Sequence, residues 1–231
     1  GYHWWPSDVS ILSQDHDGRH KCVNAGTCDL GCAAGAKGGT NFTYWPMLEN
    51  AGVELRSECR VREILVDQLT GFATGVLYHG ADGQLHEQKA ELVVVACNGV
   101  GTPRLLLNSK SKAFPDGLAN RNGMVGKNLM FHPLTGVTGV FGEPMLGHEG
   151  PMACSILSQE FYETDSTRDF VRGYGLHSGR STTPMTYALG GYGIDSPIPW
   201  GAEHRETMDN VYPYLAGLTV VSEDLPEEQN C

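Results

Sequence analysis

The hydrophobic and polar positions of the first ninety residues predict one short helix followed by a series of strands. Pro46 fits only the first turn of a helix, and Gly52 is placed as a helix-terminating glycine, so we predict a helix over residues 45–51. Asp82-Gly83 is a strong signal for a short hairpin. The extended, partly alternating runs that predict strands are residues 53–56, 59–66, 73–78 and 85–88.

A glycine-rich turn follows the most apolar run of this half. Residues 92–96 are apolar on both faces, which predicts a buried parallel strand. Gly99 and Gly101 come next, and then Thr102 and Pro103, which suit the N-cap and the first turn of a second helix. A strand, a glycine turn and a capped helix together aim backbone N–H groups and a positive helix end at a ligand. The turn is therefore a candidate binding site.

The chain changes character after Pro133. Short strand-like runs divided by glycine and proline lie at residues 137–141, 153–157 and 214–221. They predict a second, mostly antiparallel domain that begins near Pro133. In the first half the meander takes the place of a crossover helix between parallel strands. We therefore predict the fold class α/β (α+β), with a three-layer nucleotide-binding domain of the flavoprotein type.

Composition and charge exclude several classes of function. The chain has 231 residues, with 16 Lys and Arg against 27 Asp and Glu, so its net charge is −11. Phosphate backbones need a basic face, so nucleic-acid binding is disfavoured. No run approaches the ~18 apolar residues of a membrane-spanning helix, and we expect no membrane span in this stretch. The first residue is not Met and the last eight read as a loop, so we expect an internal fragment and assign no localisation.

Three cysteines lie close together near the start of the chain. Cys22, Cys28 and Cys32 are separated by five and then three residues. Structural zinc sites usually pair their ligands more closely and add a second pair, and iron–sulfur runs have other spacings. We favour a structural loop, with room for one disulfide, and predict no metal site. A non-catalytic metal-binding cysteine clip stays an alternative.

The glycine turn also imitates a nicotinamide-dinucleotide fingerprint. Arg104 holds the place of its third glycine, and no acidic residue ends a strand about 20 residues further on. An NAD(P)-linked reductase is therefore a weaker alternative. The chain contains no Gly-x-Ser-x-Gly nucleophile elbow either.

Three blocks of sequence resemble the glucose–methanol–choline (GMC) oxidoreductases, most of all their bacterial dehydrogenase-like branch. The blocks are residues 22–52 (CVNAGTCDLGCAAGAKGGTNFTYWPMLENAG), 92–109 (LVVVACNGVGTPRLLLNS) and 117–133 (GLANRNGMVGKNLMFHP). The resemblance implies a flavoprotein that oxidises an alcohol CH–OH group to a carbonyl by hydride transfer to FAD. It also implies a partial FAD/NAD(P)-binding-type domain at residues 1–132, opened by a loop segment over 1–35, and a partial substrate-binding domain at 133–231.

The resemblance assigns cofactor-binding residues but no catalytic residue. It implies that the backbone at Val61 meets the adenine of FAD. The turn beside the flavin and its diphosphate arm comprises Ala96, Cys97, Asn98, Gly99, Gly101 and Thr102. The family's glycine fingerprint is absent, and none of the nine histidines matches the catalytic one, which we expect C-terminal to this chain with its partner. The expected substrate is a small alcohol or sugar; the electron acceptor and the oligomeric state are not assigned.

Overall fold

The computed structural model describes residues 1–28, 30–151, 154–179, 183–190 and 199–231, and shows a mixed α/β chain with antiparallel sheets. The helices are α1 (Tyr44–Asn50), α2 (Asn98–Asn108), α3 (Pro184–Gly190) and α4 (Ala202–Asn210). The strands are β1 (Trp5–Pro6), β2 (Arg60–Val66), β3 (Ala73–His79), β4 (Leu85–Lys89), β5 (Leu134–Val140), β6 (Cys154–Ser158), β7 (Tyr174–Gly179) and β8 (Leu215–Ser222).

The chain divides into two compact units. The first comprises residues 1–52 and 132–224, and the second comprises residues 53–131 and 225–231. The division into domains at 1–132 and 133–231 stays a prediction.

The first unit is built on a five-stranded antiparallel sheet in the order β1-β6-β7-β8-β5. The predicted strands at 137–141, 153–157 and 214–221 lie at β5, β6 and β8, although residue 153 is outside the described residues. Tyr187, Tyr212 and Leu215 form the buried core of this unit. Burial of a side chain of this size contributes about 1.5–3 kcal/mol relative to exposure.

The second unit carries the predicted meander, with strand order β2-β3-β4 and antiparallel pairing throughout. Its hairpin turn is confirmed, since Gly83 has a φ of +73° and the carboxylate of Asp82 accepts from the backbone N–H of Gln84 at 2.9 Å. The predicted strand at 53–56 is wrong. That run is irregular because no backbone in the described residues pairs with it, and Arg56 binds the nearby Glu54 instead.

The predicted buried strand at 92–96 is also wrong as a description of this chain. The segment is irregular, and the side chains of Leu92 and Val94 are each 79% exposed. A run is a strand only where its N–H and C=O groups pair with a neighbour, and the described part of the chain offers this segment no partner. The meander's role as a crossover and the three-layer arrangement stay predictions.

Candidate functional site

Helix α2 begins at Asn98, five residues before Pro103, where the prediction opens it. Asn98 has a φ of +61°, and its side-chain oxygen accepts the backbone N–H groups of Val100 and Gly101, both at 2.9 Å. These bonds satisfy two of the N–H groups that the first turn of a helix leaves free. The prediction that Thr102 caps the helix and that Pro103 opens it is therefore wrong.

Thr102 has a different part in the same turn. Its hydroxyl accepts the backbone N–H of Cys97 at 3.2 Å, which folds the first turn of α2 back on the residue before it. Pro103 lies inside the helix and has no N–H to donate to the carbonyl of Gly99. The turn is thus held by Asn98 and Thr102.

The bend before α2 is open. A Cβ atom placed on Gly99 would meet no atom of the described residues within 4 Å. A groove of about 470 Å³ starts there and runs along one side of α2 to the loop at 126–130; we call it the apolar groove. Most of its lining is apolar, with Gly99, Val100, Pro103, Leu107, Leu129 and Met130 among the residues that form it.

A second groove of about 770 Å³ runs between β2 and the other side of α2; we call it the basic groove. It brings together three of the predicted cofactor-binding residues, Val61, Cys97 and Gly101. Its other lining residues are Cys59, Arg60, Arg62, His79, Arg104, Leu105 and Asn108.

One buried serine holds the two walls of the basic groove together. The hydroxyl of Ser109, at the end of α2, accepts the backbone N–H of Ile64 in β2 at 2.9 Å and donates to the carbonyl of Leu105 at 2.7 Å. Ser109 is 2% exposed and Ile64 is 7% exposed. A hydrogen bond that water cannot replace therefore fixes β2 against α2.

A β-bulge decides which side chains reach the basic groove. Pairing of β2 with β3 runs from Val61–Tyr78 directly to Glu63–Leu77, so Arg62 is an extra residue with no partner opposite it. In a regular strand, successive side chains point to opposite faces. The bulge re-aims the strand locally, and the consecutive residues Arg60, Val61 and Arg62 all line one groove.

The remaining predicted residues lie around the turn. Gly99 lines the apolar groove, while Ala96, Asn98 and Thr102 line neither groove. Ala96 is exposed, and the other two form the hydrogen bonds of the turn.

Sequence reasoning missed the arginines at 60, 62 and 104. The alternation of Arg60, Val61 and Arg62 places the valine on the opposite face from both arginines in any regular strand. No sequence signal marks the bulge that changes this.

The three clustered cysteines line a separate apolar cavity of about 50 Å³. Backbone N–H groups, above all that of Lys37 at 3.4 Å, hold the pKa of the Cys32 thiol below its ordinary value. The Lys37 ammonium donates to the carbonyl of Cys28 at 2.7 Å. Within the described residues, Cys22, Cys28 and Cys32 form no disulfide. Across the described ranges, no group of three or more His, Cys, Asp or Glu side chains is placed to hold a metal ion.

No helix among the described residues is long and apolar enough to cross a membrane.

Three relatives show what the chain is similar to. It is 39% identical over 233 residues to 2-methyl-1,2-propanediol dehydrogenase of Mycolicibacterium austroafricanum, a match that covers 100% of this chain and 42% of that protein. It is 30% identical to the fructose dehydrogenase large subunit of Gluconobacter japonicus, over 68% of this chain and 29% of that protein. It is 26% identical to paromamine 6'-oxidase of Streptomyces fradiae, over 71% of this chain and 32% of that protein.

The chain thus spans less than half the length of each of these relatives. The family model described as GMC oxidoreductase matches residues 7–134, which is more than half of the chain. With the 39% identity over its whole length, this match shows that the chain belongs to the GMC oxidoreductase family.

Proposed function

We propose that this chain is part of an FAD-dependent oxidoreductase that converts an alcohol CH–OH group to a carbonyl. Its family and the names of its relatives support this proposal, because they include dehydrogenases of a diol and of fructose and an oxidase of paromamine. The substrate we propose is a small alcohol or sugar. Neither an NAD(P)-linked reductase nor a metal-binding cysteine clip gains support from the relatives or from the described residues.

The observation that carries the proposal is the open bend at Gly99. Backbone without a side chain faces a largely apolar groove of about 470 Å³, and a Cβ on Gly99 would occupy empty space. A planar, mostly apolar ring system needs such a surface, because it gains its contacts by lying against backbone. The residues present therefore fit the flavin end of FAD.

The residues on the other side of α2 fit the rest of a dinucleotide. Val61 lines the basic groove and is 39% exposed, and we propose that its backbone meets the adenine there. We propose that Ala96, Cys97, Asn98, Gly99, Gly101 and Thr102 form the turn along which the cofactor passes. When bound, FAD supplies the acceptor for the hydride that leaves the alcohol carbon.

We assign the chain a binding function and no general base. The hydrogen bonds of Asn98 and Thr102 keep the turn in one shape before the cofactor arrives, which lowers the entropy cost of binding. The apolar side chains of the groove favour an apolar ring system against Gly99. Both effects orient the cofactor without moving a proton.

The test is reduction of bound flavin by alcohols, measured on the protein produced from its full coding sequence. We expect a yellow protein whose flavin absorbance bleaches anaerobically on addition of a 1,2-diol or a sugar. A colourless protein that instead reduces NAD(P) with the same alcohols would overturn the proposal. The variant Gly99→Leu fills the open space and should lose flavin, whereas Gly136→Leu, at another glycine with no atom within 4 Å of an added Cβ, should keep it.

A further inference from the structure

We propose that the open edge of β5 is a docking site for a further strand, supplied by a part of the same polypeptide outside residues 1–231. Strand β5 is the last strand of the five-stranded sheet and pairs with β8 on one side. No strand among the described residues lies on its other side. Backbone that is left open in this way is a template for one more strand.

The hydrogen bonds at the two ends of β5 show which of its backbone groups point outward. Phe141 donates its N–H to the carbonyl of Tyr214 at 2.9 Å, and Ser222 donates its N–H to the carbonyl of Pro133 at 3.0 Å. The register between these two pairs has no shift, so every second residue of β5 faces β8. The residues whose N–H and C=O groups point away from β8, and find no hydrogen-bond partner among the described residues, are Leu134, Gly136, Thr138 and Val140.

Strand β5 has none of the features that usually protect an open edge. Its sequence, LTGVTGV, contains no charged residue and no proline, and its pairing with β8 has no bulge. The other edge of the same sheet is different, since β1 consists only of Trp5 and Pro6, and the proline has no N–H to offer. An edge as long and as regular as β5 would be a site of aggregation if it stayed open.

The apolar side chains of β5 are uncovered on both faces of the sheet. Leu134 and Val140 lie on one face and Val137 lies on the other, because successive side chains of a strand alternate. All three are 61–66% exposed, although each is paired with an apolar residue of β8. A neighbouring strand contacts side chains on both faces at once, whereas a helix packed on the sheet covers only one face. The exposure therefore favours a strand as the occupant.

The length of the relatives indicates where that strand comes from. This chain spans less than half of each relative named above, so a protein of their length contains further chain that can reach the edge. A segment of the same polypeptide is present at an effective concentration of about millimolar, which a second copy of the protein does not match. The inference rests on the proposed function only in taking this chain as part of a longer protein.

Hydrogen exchange in the protein produced from its full coding sequence tests the pairing. Mass spectrometry with residue-level fragmentation compares the outward N–H groups of Gly136 and Thr138 with the inward N–H groups of Val137 and Gly139. We expect all four to exchange equally slowly, because both sides of β5 are then paired. Outward N–H groups that exchange much faster than the inward ones refute the proposal.

Two proline variants of the same full-length protein form a matched pair. Thr138→Pro removes an outward N–H, and Val137→Pro removes an inward N–H that faces β8. An open edge tolerates proline at an outward position, whereas a paired strand does not. We therefore expect both variants to lower the Tm by several degrees and by similar amounts. A Thr138→Pro variant that melts like the parent protein contradicts the proposal, even if the outward N–H groups exchange slowly.

The oligomeric state identifies the source of the strand. Light scattering should find the slow exchange in a monomer and at every protein concentration. Slow exchange that appears only in a dimer assigns the edge to a second copy and overturns the proposal. None of these measurements involves flavin reduction, so failure of this docking site and failure of the proposed function are distinguishable.

Discussion

The backbone N–H of Ile64 in β2 donates to the hydroxyl of Ser109 at the end of α2, and this 2.9 Å bond joins the two walls of the basic groove. The same hydroxyl donates to the carbonyl of Leu105, so the serine is satisfied in both directions. Each of its partners belongs to a different wall. One buried side chain that is not among the groove's own lining residues therefore links its two walls.

Removal of this hydroxyl should loosen the second unit. Ser109→Ala leaves the buried N–H of Ile64 without an acceptor, at a cost of about 1–3 kcal/mol in the free energy of unfolding. Urea denaturation measures the loss, and hydrogen exchange should show faster exchange at Ile64. Ser111→Ala is the control, because the N–H of Phe114 that its hydroxyl accepts at 3.2 Å also reaches the backbone carbonyl of Ser111 at 3.1 Å. Equal losses in both variants would show that Ser109 has no special part.

The start of α2 should depend on the oxygen of the Asn98 side chain. Asn98→Ala removes both capping bonds and leaves a residue with a Cβ at a φ of +61°, so we expect a loss of about 1 kcal/mol or more. Asn98→Asp keeps an acceptor and adds a favourable charge at the helix N-terminus, so its loss should be smallest. Asn98→Gly adopts the positive φ without strain but has no side-chain oxygen to cap the helix, so its loss of stability should lie between those of the other two variants. If urea unfolding gave Asn98→Ala and Asn98→Asp the same free energy of unfolding, the capping role would be contradicted.

Gly75 in β3 should tolerate no side chain. Its φ is +154°, and a Cβ there would collide with the carbonyl oxygen of Gln88 and lie 2.9 Å from the Cα of Lys89 in β4. Gly75→Ala should therefore lower the free energy of unfolding by at least the ~1–3 kcal/mol that overpacking costs. Gly136→Ala is the matched control, since an added Cβ on this strand glycine meets nothing within 4 Å. Thermal melts in which the two variants are equally stable would refute the clash.

The Cys32 thiol should react at lower pH in the folded chain than in the unfolded chain. Donation from the Lys37 backbone N–H stabilises the thiolate and lowers the pKa of Cys32, and the thiolate is the nucleophile. The pH midpoint of Cys32 alkylation by iodoacetamide, followed by mass spectrometry, should thus lie below the midpoint measured for the same residue in urea. Identical midpoints would show that the donated bonds do not stabilise the charge.

The same lowered pKa makes a small contribution to stability with a definite sign. A thiol whose pKa is lower in the folded state binds fewer protons there than in the unfolded state between the two pKa values. Its contribution is therefore present above the ordinary pKa and is lost as the pH falls through the lowered one. Cys32→Ser should remove this part of the pH dependence, which urea midpoints measured across that range can detect.

Most of the local structure could be predicted from the sequence. The observed α1 lies within one residue of the predicted helix, because Pro46 and Gly52 restrict where a helix can begin and end. The meander strands and the Asp82-Gly83 turn were predictable for a similar reason, since alternation and turn preference depend on near neighbours. Strand β7 was not predicted: Gly175, His177 and Gly179 give it no strand pattern, and its pairing with β6 and β8 forms it.

The candidate site, like the fold, could be predicted only in part from the sequence. The sequence pointed to the turn at 96–102, and the structure places its open backbone beside a groove at Gly99. It did not point to the basic groove, because a bulge at Arg62 and the Ile64–Ser109 bond arise between segments far apart in the chain. The failure of the predicted strand at 92–96 has the same origin, since apolar residues indicate burial but cannot supply a partner strand.

The sequence by itself determined the first helix, the hairpin turn, the meander, the excess of Asp and Glu over Lys and Arg, and the glycine bend that resembles a flavoprotein turn. These depend on side-chain size, on backbone freedom at glycine and proline, and on charge, all of which are properties of single residues or close neighbours. Only the tertiary structure decided which arginines share a groove, which serine holds its walls and which apolar run stays unpaired. Those outcomes depend on register and on hydrogen bonds between distant segments, and these exist only once the chain has folded.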